Sequence, residues 1–172
     1  MALAQLSKVR LEYFPHGQGP ERVVFIHGFQ ASAPIWRMVQ QALPEDRWTV
    51  VTSATERLAR IRMASAGISV PKKLVTADQV KRGKPDPEPF LAGAALLGLA
   101  PAECVVFEDS PSGVVAGRDA GCTVVATTFS HSAESLNAAH YLVRDLTGIR
   151  IEISNDEIVI QSTPLPAVAT KS

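Results

Sequence analysis

Polar residues follow two apolar, strand-length segments of this chain. Ser53 and Ala54 come directly after residues 48–52, which read WTVVT. A hydroxyl beside free backbone N–H groups at the start of a helix forms a cradle for an anion. The same residues would also serve as an ordinary Ser/Thr helix cap. Both interpretations follow from the local pattern, and the partners of Ser53 decide between them.

Two adjacent carboxylates, Glu108 and Asp109, follow the second apolar segment, residues 105–107. Two negative charges side by side at the end of a strand repel each other unless a cation offsets them. Mg²⁺ is a hard ion that prefers oxygen ligands, so both side chains are candidate ligands for it. The alternative is that one carboxylate faces solvent while the other caps the helix that follows.

Lys84 lies between these two groups, in the segment KRGKPDP of residues 81–87. A glycine and a proline flank it, which predicts a stiff turn just ahead of a helix capped by Asp86. An ammonium in that turn could neutralise a phosphate or a carboxylate near the cation. The alternative is that Lys84 belongs to a solvated run of charges with Lys81 and Arg82.

The elements that must position these side chains alternate between strand-like and helix-like segments. The predicted strands are Val23–Ile26, 48–52, 73–76, 105–107, Thr123–Thr127 and Tyr141–Val143. The predicted helices lie at 35–43, within 54–67, from Asp86 to near Gly98, at 113–120 and, more weakly, at 135–139. This alternation predicts an α/β fold with a doubly wound, mostly parallel sheet. Ligands of such folds bind at the carboxyl ends of the strands, where the polar groups lie.

The C-terminal part of the chain follows a different pattern. Residues 149–154 and 157–161 alternate apolar and polar side chains around Asn155-Asp156, which predicts a β-hairpin. The last segment, residues 163–172, is expected to be a flexible tail. The length of 172 residues suits one domain, which we assign to residues 1–162.

Three motifs in this order resemble the haloacid dehalogenase-like (HAD) phosphohydrolase superfamily. VVTSAT is similar to its second motif, KRGKPDPEPF to its third and VVFEDSPSGVVAGRDAG to its fourth. The resemblance implies that Ser53, Ala54 and Lys84 bind phosphate. It implies that Asp109 is the principal Mg²⁺ ligand, with Glu108 secondary, and that Lys84 and Asp109 are catalytic residues.

The resemblance extends over about residues 48–145 and is strongest to the branch of sugar-phosphate and glycerol-phosphate phosphatases. It implies a phosphate monoester hydrolase whose ligand is phosphate or a small phosphorylated metabolite. Members of this branch also carry a helical cap domain between the first motif and the next core helix. Residues 29–47 are too few for such a domain, so we expect a core without a cap.

The first motif of the family, Asp-x-Asp-Gly, has no match in this chain. In the family its first aspartate attacks phosphorus and its second is the general acid and base. Matched at the glycine of VVFIHG, Phe25 takes the nucleophile's position and His27 the acid/base position. A phenylalanine cannot form a phosphoenzyme, and His27 is either a catalytic residue or a histidine that merely ends the strand. We therefore expect weak or absent phosphatase activity.

The segment 1–44 resembles the opening of an α/β-hydrolase, in which a His-Gly-x loop follows a strand. The chain has no Gly-x-Ser-x-Gly nucleophile elbow, so the resemblance brings no acyl-transfer site. We predict a chimera in which residues 1–44 supply the first strand and helix and residues 45–162 the HAD-like core.

Since Ser53 and Asp109 need a strand between them to form one site, Val23–Ile26 should lie there.

Composition narrows the classes of partner. Seventeen basic and 17 acidic residues give no net charge, which argues against a nucleic-acid partner. No apolar stretch is long enough to span a bilayer and no signal peptide is evident, so we expect a cytoplasmic protein without a membrane partner. Cys104 and Cys122 each begin an apolar run and are predicted to be reduced core thiols.

Apolar residues near the first strand predict self-association. Four of them would lie near the carboxyl edge of the sheet, where a cap domain is missing: Phe29, Ile35, Trp36 and Met38. Exposed patches of this kind favour association, so a homodimer is expected.

Two alternatives to an enzyme also remain, a module that binds phosphate and Mg²⁺ without turnover and a purely structural chimera.

Overall fold

The computed structural model describes residues 48–67 and 69–144 together with three further strands, Val23–Ile26, Arg150–Ser154 and Glu157–Gln161. The strands of the larger sheet are β1 Val23–Ile26, β2 Trp48–Val51, β3 Leu74–Val75, β4 Cys104–Glu108, β5 Thr123–Thr127 and β6 Tyr141–Val143. The helices within these residues are α1 Glu56–Ser65, α2 Glu88–Leu97 and α3 Pro111–Asp119. Single 3₁₀ turns occupy Ala77–Gln79 and Pro101–Glu103.

The larger sheet has six strands in the order β3-β2-β1-β4-β5-β6, and every neighbouring pair is parallel. In β1, Phe25 lies opposite Thr49 of β2 and Val106 of β4. The prediction that β1 separates the strands leading to Ser53 and Asp109 is therefore confirmed. Because all strands run the same way, the loops after β2, β4 and β5 meet at one edge of the sheet.

Side chains on both faces of β2 and β4 are buried. Val51 and Val106 pack with Phe90 of α2 and Val114 of α3 in one apolar cluster. Successive residues of a strand point to opposite faces, so Val50 and Phe107 belong to the other face, and both are fully buried. A parallel sheet with both faces covered by other elements is the doubly wound α/β fold predicted from the sequence.

Most element boundaries agree with the prediction to within two residues. Helix α2 begins one residue late, after Pro87, yet the Asp86 carboxylate still accepts the Glu88 N–H at 2.9 Å. The helix ends at Gly98, which adopts a φ of 73° that favours glycine.

The helix predicted at 135–139 is wrong. These residues form successive turns in which the N–H of Leu136 donates to the carbonyl of Ala133, and that of Ala139 to Leu136. Leu136 is the one buried side chain of residues 129–138. A single apolar anchor gives no continuous stripe to hold a helix against the sheet, and short helices are marginal without one.

The C-terminal strands form the predicted hairpin. Strands β7 (Arg150–Ser154) and β8 (Glu157–Gln161) are antiparallel, with Ser154 opposite Glu157, and make a separate two-stranded sheet. The predicted helix at 35–43, the tail at 163–172 and His27 lie outside the described residues. No helix in the described part of the chain has both the length and the apolar character needed to span a bilayer.

Both cysteines are buried and free, as predicted. Cys104 and Cys122 are 1 % and 2 % exposed and lie in the same apolar cluster. The neighbouring Cys122 thiol and burial raise the pKa of Cys104, so it stays a neutral thiol at physiological pH. They fill space in the core.

Candidate functional site

Lys84 and Glu108 form a buried ion pair at the carboxyl edge of the sheet. Lys84 Nζ lies 2.6 Å from Glu108 Oε1, and the two side chains are 2 % and 0 % exposed. The ammonium also donates to the carbonyl of Val51 at 3.1 Å and lies 4.4 Å from the ring centre of Phe90. Burial lowers the pKa of Lys84, while the Glu108 charge opposes that shift. Lys84 is buried and paired, so the alternative that it belongs to a solvated run of charges is wrong.

The Glu108 carboxylate is held through both oxygens. Oε1 accepts from Lys84, and Oε2 accepts the N–H groups of Asp109 at 3.0 Å and Ser110 at 3.1 Å, and the Ser110 hydroxyl at 3.0 Å. A Cβ atom at Gly113 would overlap this carboxylate, so the position requires glycine. The first turn of α3 therefore packs directly on the acid.

The cap of α3 is a hydroxyl. Ser110 Oγ accepts the Gly113 N–H at 3.1 Å, which satisfies one of the free donors at the helix start. The alternative that Glu108 or Asp109 caps this helix is therefore wrong. The sequence carried a signal for the cap, since serine followed by proline is typical of a helix start.

Asp109 follows Glu108 and is half-buried at the mouth of the site. The hydroxyl of Ser130 lies 3.1 Å from its Oδ2 and 3.0 Å from its carbonyl oxygen, and Nδ1 of His131 lies 2.7 Å from that carbonyl. A carbonyl only accepts, so a hydrogen bond at this contact requires the proton on Nδ1 of His131. Sequence reasoning missed Ser130 and His131, because only the pairing of β4 with β5 brings them to Asp109.

Ser53 lies in the loop between β2 and α1 and is exposed. Its hydroxyl has no hydrogen-bond partner among the described residues, so it does not cap α1. The Ala54 N–H donates to Thr52 Oγ1 at 3.1 Å, and the Glu56 N–H donates to the Asp78 carboxylate at 3.1 Å. The free N–H groups expected at the start of α1 are thus partly occupied by the protein's own side chains.

The oxygen donors fit a weakly held Mg²⁺. Within the described residues, no three His, Cys, Asp or Glu side chains are grouped to hold a metal ion. Mg²⁺ keeps several waters and needs only one or two protein carboxylates, which Asp109 and Glu108 can supply. Both Glu108 oxygens already accept hydrogen bonds, and Asp109 Oδ2 lies 3.1 Å from the Ser130 hydroxyl, so either acid would have to share an oxygen with the ion.

The structure brings the predicted site residues together around one edge. Lys84 and Glu108 are in contact, Asp109 is next to them, and the Val51 carbonyl bonded to Lys84 lies two residues before Ser53. The arrangement offers a hydroxyl, an ammonium and a carboxylate, which is the set needed to bind a phosphate group beside a cation. His27 lies outside the described residues.

Comparison with known proteins identifies the family. A family model described as haloacid dehalogenase-like hydrolase matches residues 21–121, a range that includes β1. The chain is 44 % identical to hexitol phosphatase A of Escherichia coli over 115 residues, 66 % of this chain and 53 % of that protein. It is 38 % identical to glycerol-1-phosphate phosphohydrolase 2 of Saccharomyces cerevisiae over 125 residues, 67 % of this chain and 50 % of that protein.

Comparison with solved structures also supports this family. A hydrolase from Pseudomonas syringae superposes with a TM-score of 0.58 at 27 % identity, covering 67 % of this chain and 56 % of that one. A β-phosphoglucomutase from Clostridium difficile shares the fold, with a TM-score of 0.54 at 24 % identity over 64 % of this chain and 47 % of that one. The chain spans about half the length of the curated relatives it matches. On its fold, its site and these matches, the chain belongs to the haloacid dehalogenase-like hydrolase family.

Proposed function

We propose that this chain binds the phosphate group of a small sugar or polyol phosphate, together with Mg²⁺, at the carboxyl edge of its parallel sheet. The observation that carries the proposal is the buried Lys84–Glu108 pair beside Asp109. A buried lysine whose pKa is lowered, paired with a carboxylate, is typical of a functional site. The similarity to a hexitol phosphatase and to a glycerol-1-phosphate phosphohydrolase supports the class of ligand.

Each side chain has a distinct role in the proposed phosphate site. Two N–H groups of the Lys84 ammonium donate to Val51 and Glu108, and we assign the third to a phosphate oxygen. The Ser53 hydroxyl donates to a second oxygen. The Ala54 N–H joins the site by exchanging the Thr52 hydroxyl for phosphate. Because Lys84 is already held in place, its side chain loses little conformational freedom when phosphate binds.

Asp109 is the proposed principal ligand of Mg²⁺, with Glu108 secondary. When bound, the ion would neutralise negative charge on the phosphate. Without the two aspartates of the family's first motif, we expect millimolar affinity, about −4 kcal/mol. A calorimetric titration tests this assignment, with Asp109→Asn expected to abolish binding. Micromolar affinity, or binding that survives Asp109→Asn, would contradict it.

We further propose that the chain by itself turns over phosphate esters weakly or not at all. Phosphoryl transfer needs a nucleophile in line with the leaving group, and matching VVFIHG to the family's first motif at its glycine gives Phe25 the position of the nucleophilic aspartate. His27 could only assist a water. General acid–base help is typically worth ~10²–10⁴-fold, short of the ~10⁶-fold and more that enzymes reach.

The test compares hydrolysis of an aryl phosphate by the parent and by the double variant Phe25→Asp/His27→Asp. We expect Mg²⁺-dependent activity to rise in the double variant, and Asp109→Ala to remove that gain. Robust turnover by the repurified parent that Asp109→Ala abolishes would overturn the proposal of lost catalysis. Binding is tested by the melting temperature of the parent. An increase on adding phosphate supports binding. A melting temperature that neither phosphate nor Mg²⁺ changes would favour a purely structural role.

A further inference from the structure

The loop that carries Ser53 is tied on one side to the end of β3 and on the other to the turn that follows β3. Before Ser53, the Thr52 N–H donates to the carbonyl of Val75 at 2.9 Å; after it, the Ala54 carbonyl accepts the Ala77 N–H at 3.0 Å. These bonds come from residues more than 20 positions away in the chain. The course of the loop is therefore set by the turn beside it.

Asp78 provides the third attachment. Its Oδ1 accepts the Glu56 N–H at 3.1 Å and the Thr76 hydroxyl at 2.5 Å. The side chain of Gln79 in turn accepts the Thr76 N–H at 3.2 Å, so the turn holds its own shape. A carboxylate at the N-terminus of a helix is also stabilised by the helix dipole.

The charge on Asp78 is maintained by the same contacts. The Thr76 hydroxyl is the main cause that lowers the pKa of Asp78, with further contributions from backbone N–H groups. Asp78 is therefore ionised at neutral pH. Its hydrogen bonds to Thr76 and Glu56 point its carboxylate into the turn and the start of α1, at the place where an ordinary helix would leave its N–H groups free.

We propose that Asp78 is a positioning residue for the phosphate-binding loop, holding residues 52–56 in the conformation that presents the Ser53 hydroxyl. The inference rests on the proposed phosphate site. Ser53 itself is exposed, so its place is set by the residues on either side. A loop that is ordered before the ligand arrives does not lose conformational freedom on binding, and affinity gains by that amount.

The experiment measures the dissociation constant of inorganic phosphate by calorimetry for the parent, Asp78→Ala and Asp78→Asn. Alanine removes the acceptor, and we expect phosphate binding to weaken about fivefold to tenfold, the scale of one hydrogen bond. The amide oxygen of asparagine can still accept the Glu56 N–H. Asp78→Asn should therefore bind phosphate within about twofold of the parent.

Glu103→Ala is the matched control. Its carboxylate accepts the Ala100 N–H at 2.7 Å in the 3₁₀ turn before β4, at the opposite edge of the sheet. Glu103→Ala removes the same type of contact without touching the loop. We therefore expect it to lower stability and to leave phosphate affinity unchanged. Unchanged affinity in Asp78→Ala, or tighter binding in both Asp78 variants because a repelling charge has gone, would overturn the positioning role.

Hydrogen exchange gives a readout that does not depend on phosphate. In Asp78→Ala the amides of Ala54 and Glu56 should exchange faster than in the parent, and in Glu103→Ala they should not. Unchanged exchange in Asp78→Ala overturns the inference by itself. A parent that binds no phosphate while these amides respond as expected refutes the proposed function and leaves the attachment of the loop established.

Discussion

Lys84 and Glu108 depend on each other because each would be a buried, uncompensated charge alone. Removing one partner of such a pair costs about 3–5 kcal/mol, whereas replacing both is far less destabilising. We expect Lys84→Met and Glu108→Gln each to lower the free energy of unfolding by that amount. The double variant should lose less stability than the two single losses added together. Urea denaturation of the four proteins measures the coupling.

The exposed pair of Arg60 with Glu56 is the matched control. These side chains are 47 % and 39 % exposed and lie 2.7 Å apart on α1. The same cycle with Arg60→Met and Glu56→Gln should give a coupling below about 0.5 kcal/mol. Equal coupling at the two pairs would mean that burial does not strengthen the Lys84–Glu108 interaction.

Gly113 is the second position where one residue decides the geometry of the site. A methyl group there would overlap the Glu108 carboxylate, whereas one at Gly83 meets no atom within 4 Å. Gly113→Ala should therefore destabilise the fold by about 3 kcal/mol through overpacking, and Gly83→Ala should change stability little. Comparing the two melting curves tests this, and similar shifts would show that the acid moves aside at little cost.

At the scale of elements, the attachment of α1 to the turn after β3 should depend on pH. The folded-state pKa of Asp78 lies below its usual value of 3.8. Its ionised form therefore stabilises the fold above that pH, and the contribution is lost as the pH falls through the lower, folded-state value. The stability difference between the parent and Asp78→Asn should be constant near neutrality and shrink below pH 4. A difference that grows with acid would have the wrong sign.

The sequence predicted most of the elements because their signals are local. The apolar runs of β2, β4 and β5 and the glycines that end the helices define elements without reference to the rest of the chain. The position of β1 was predictable too, since two site residues needed a strand between them. The helix predicted at 135–139 was wrong. Its composition suits a short helix, but only one of its side chains, Leu136, is buried.

The site was predictable where its residues lie in one motif, and not where they meet through the fold. Glu108 and Asp109 are neighbours in sequence, and Lys84 has a distinctive setting. Asp78 meets the start of α1 from 22 positions away, and Ser130 meets Asp109 from 21. Thr, Ser and Asp are common in turns, so their types gave no signal.

At the scale of the whole molecule, we expect association through apolar surface near the carboxyl edge. The four residues predicted to form that surface lie outside the described residues: Phe29, Ile35, Trp36 and Met38. Phe129 is 59 % exposed in the loop that also supplies Ser130 to the site. Light scattering at high concentration should find a dimer or larger species, and Phe129→Ser should weaken it. Ile61→Ser, at a 53 % exposed position of α1, is the control. A monodisperse parent at millimolar concentration would refute the prediction.

The order of the strands also has a consequence for synthesis on the ribosome. β1 emerges first and can pair with β2, but its other neighbour, β4, emerges only after β3 and α2. Until then the growing chain exposes the edge of a strand destined for the middle of the sheet, and such an edge pairs readily with other chains. Long-range parallel pairing is also slow to form. Nascent chains halted between β3 and β4 should therefore aggregate more readily than those halted after β5.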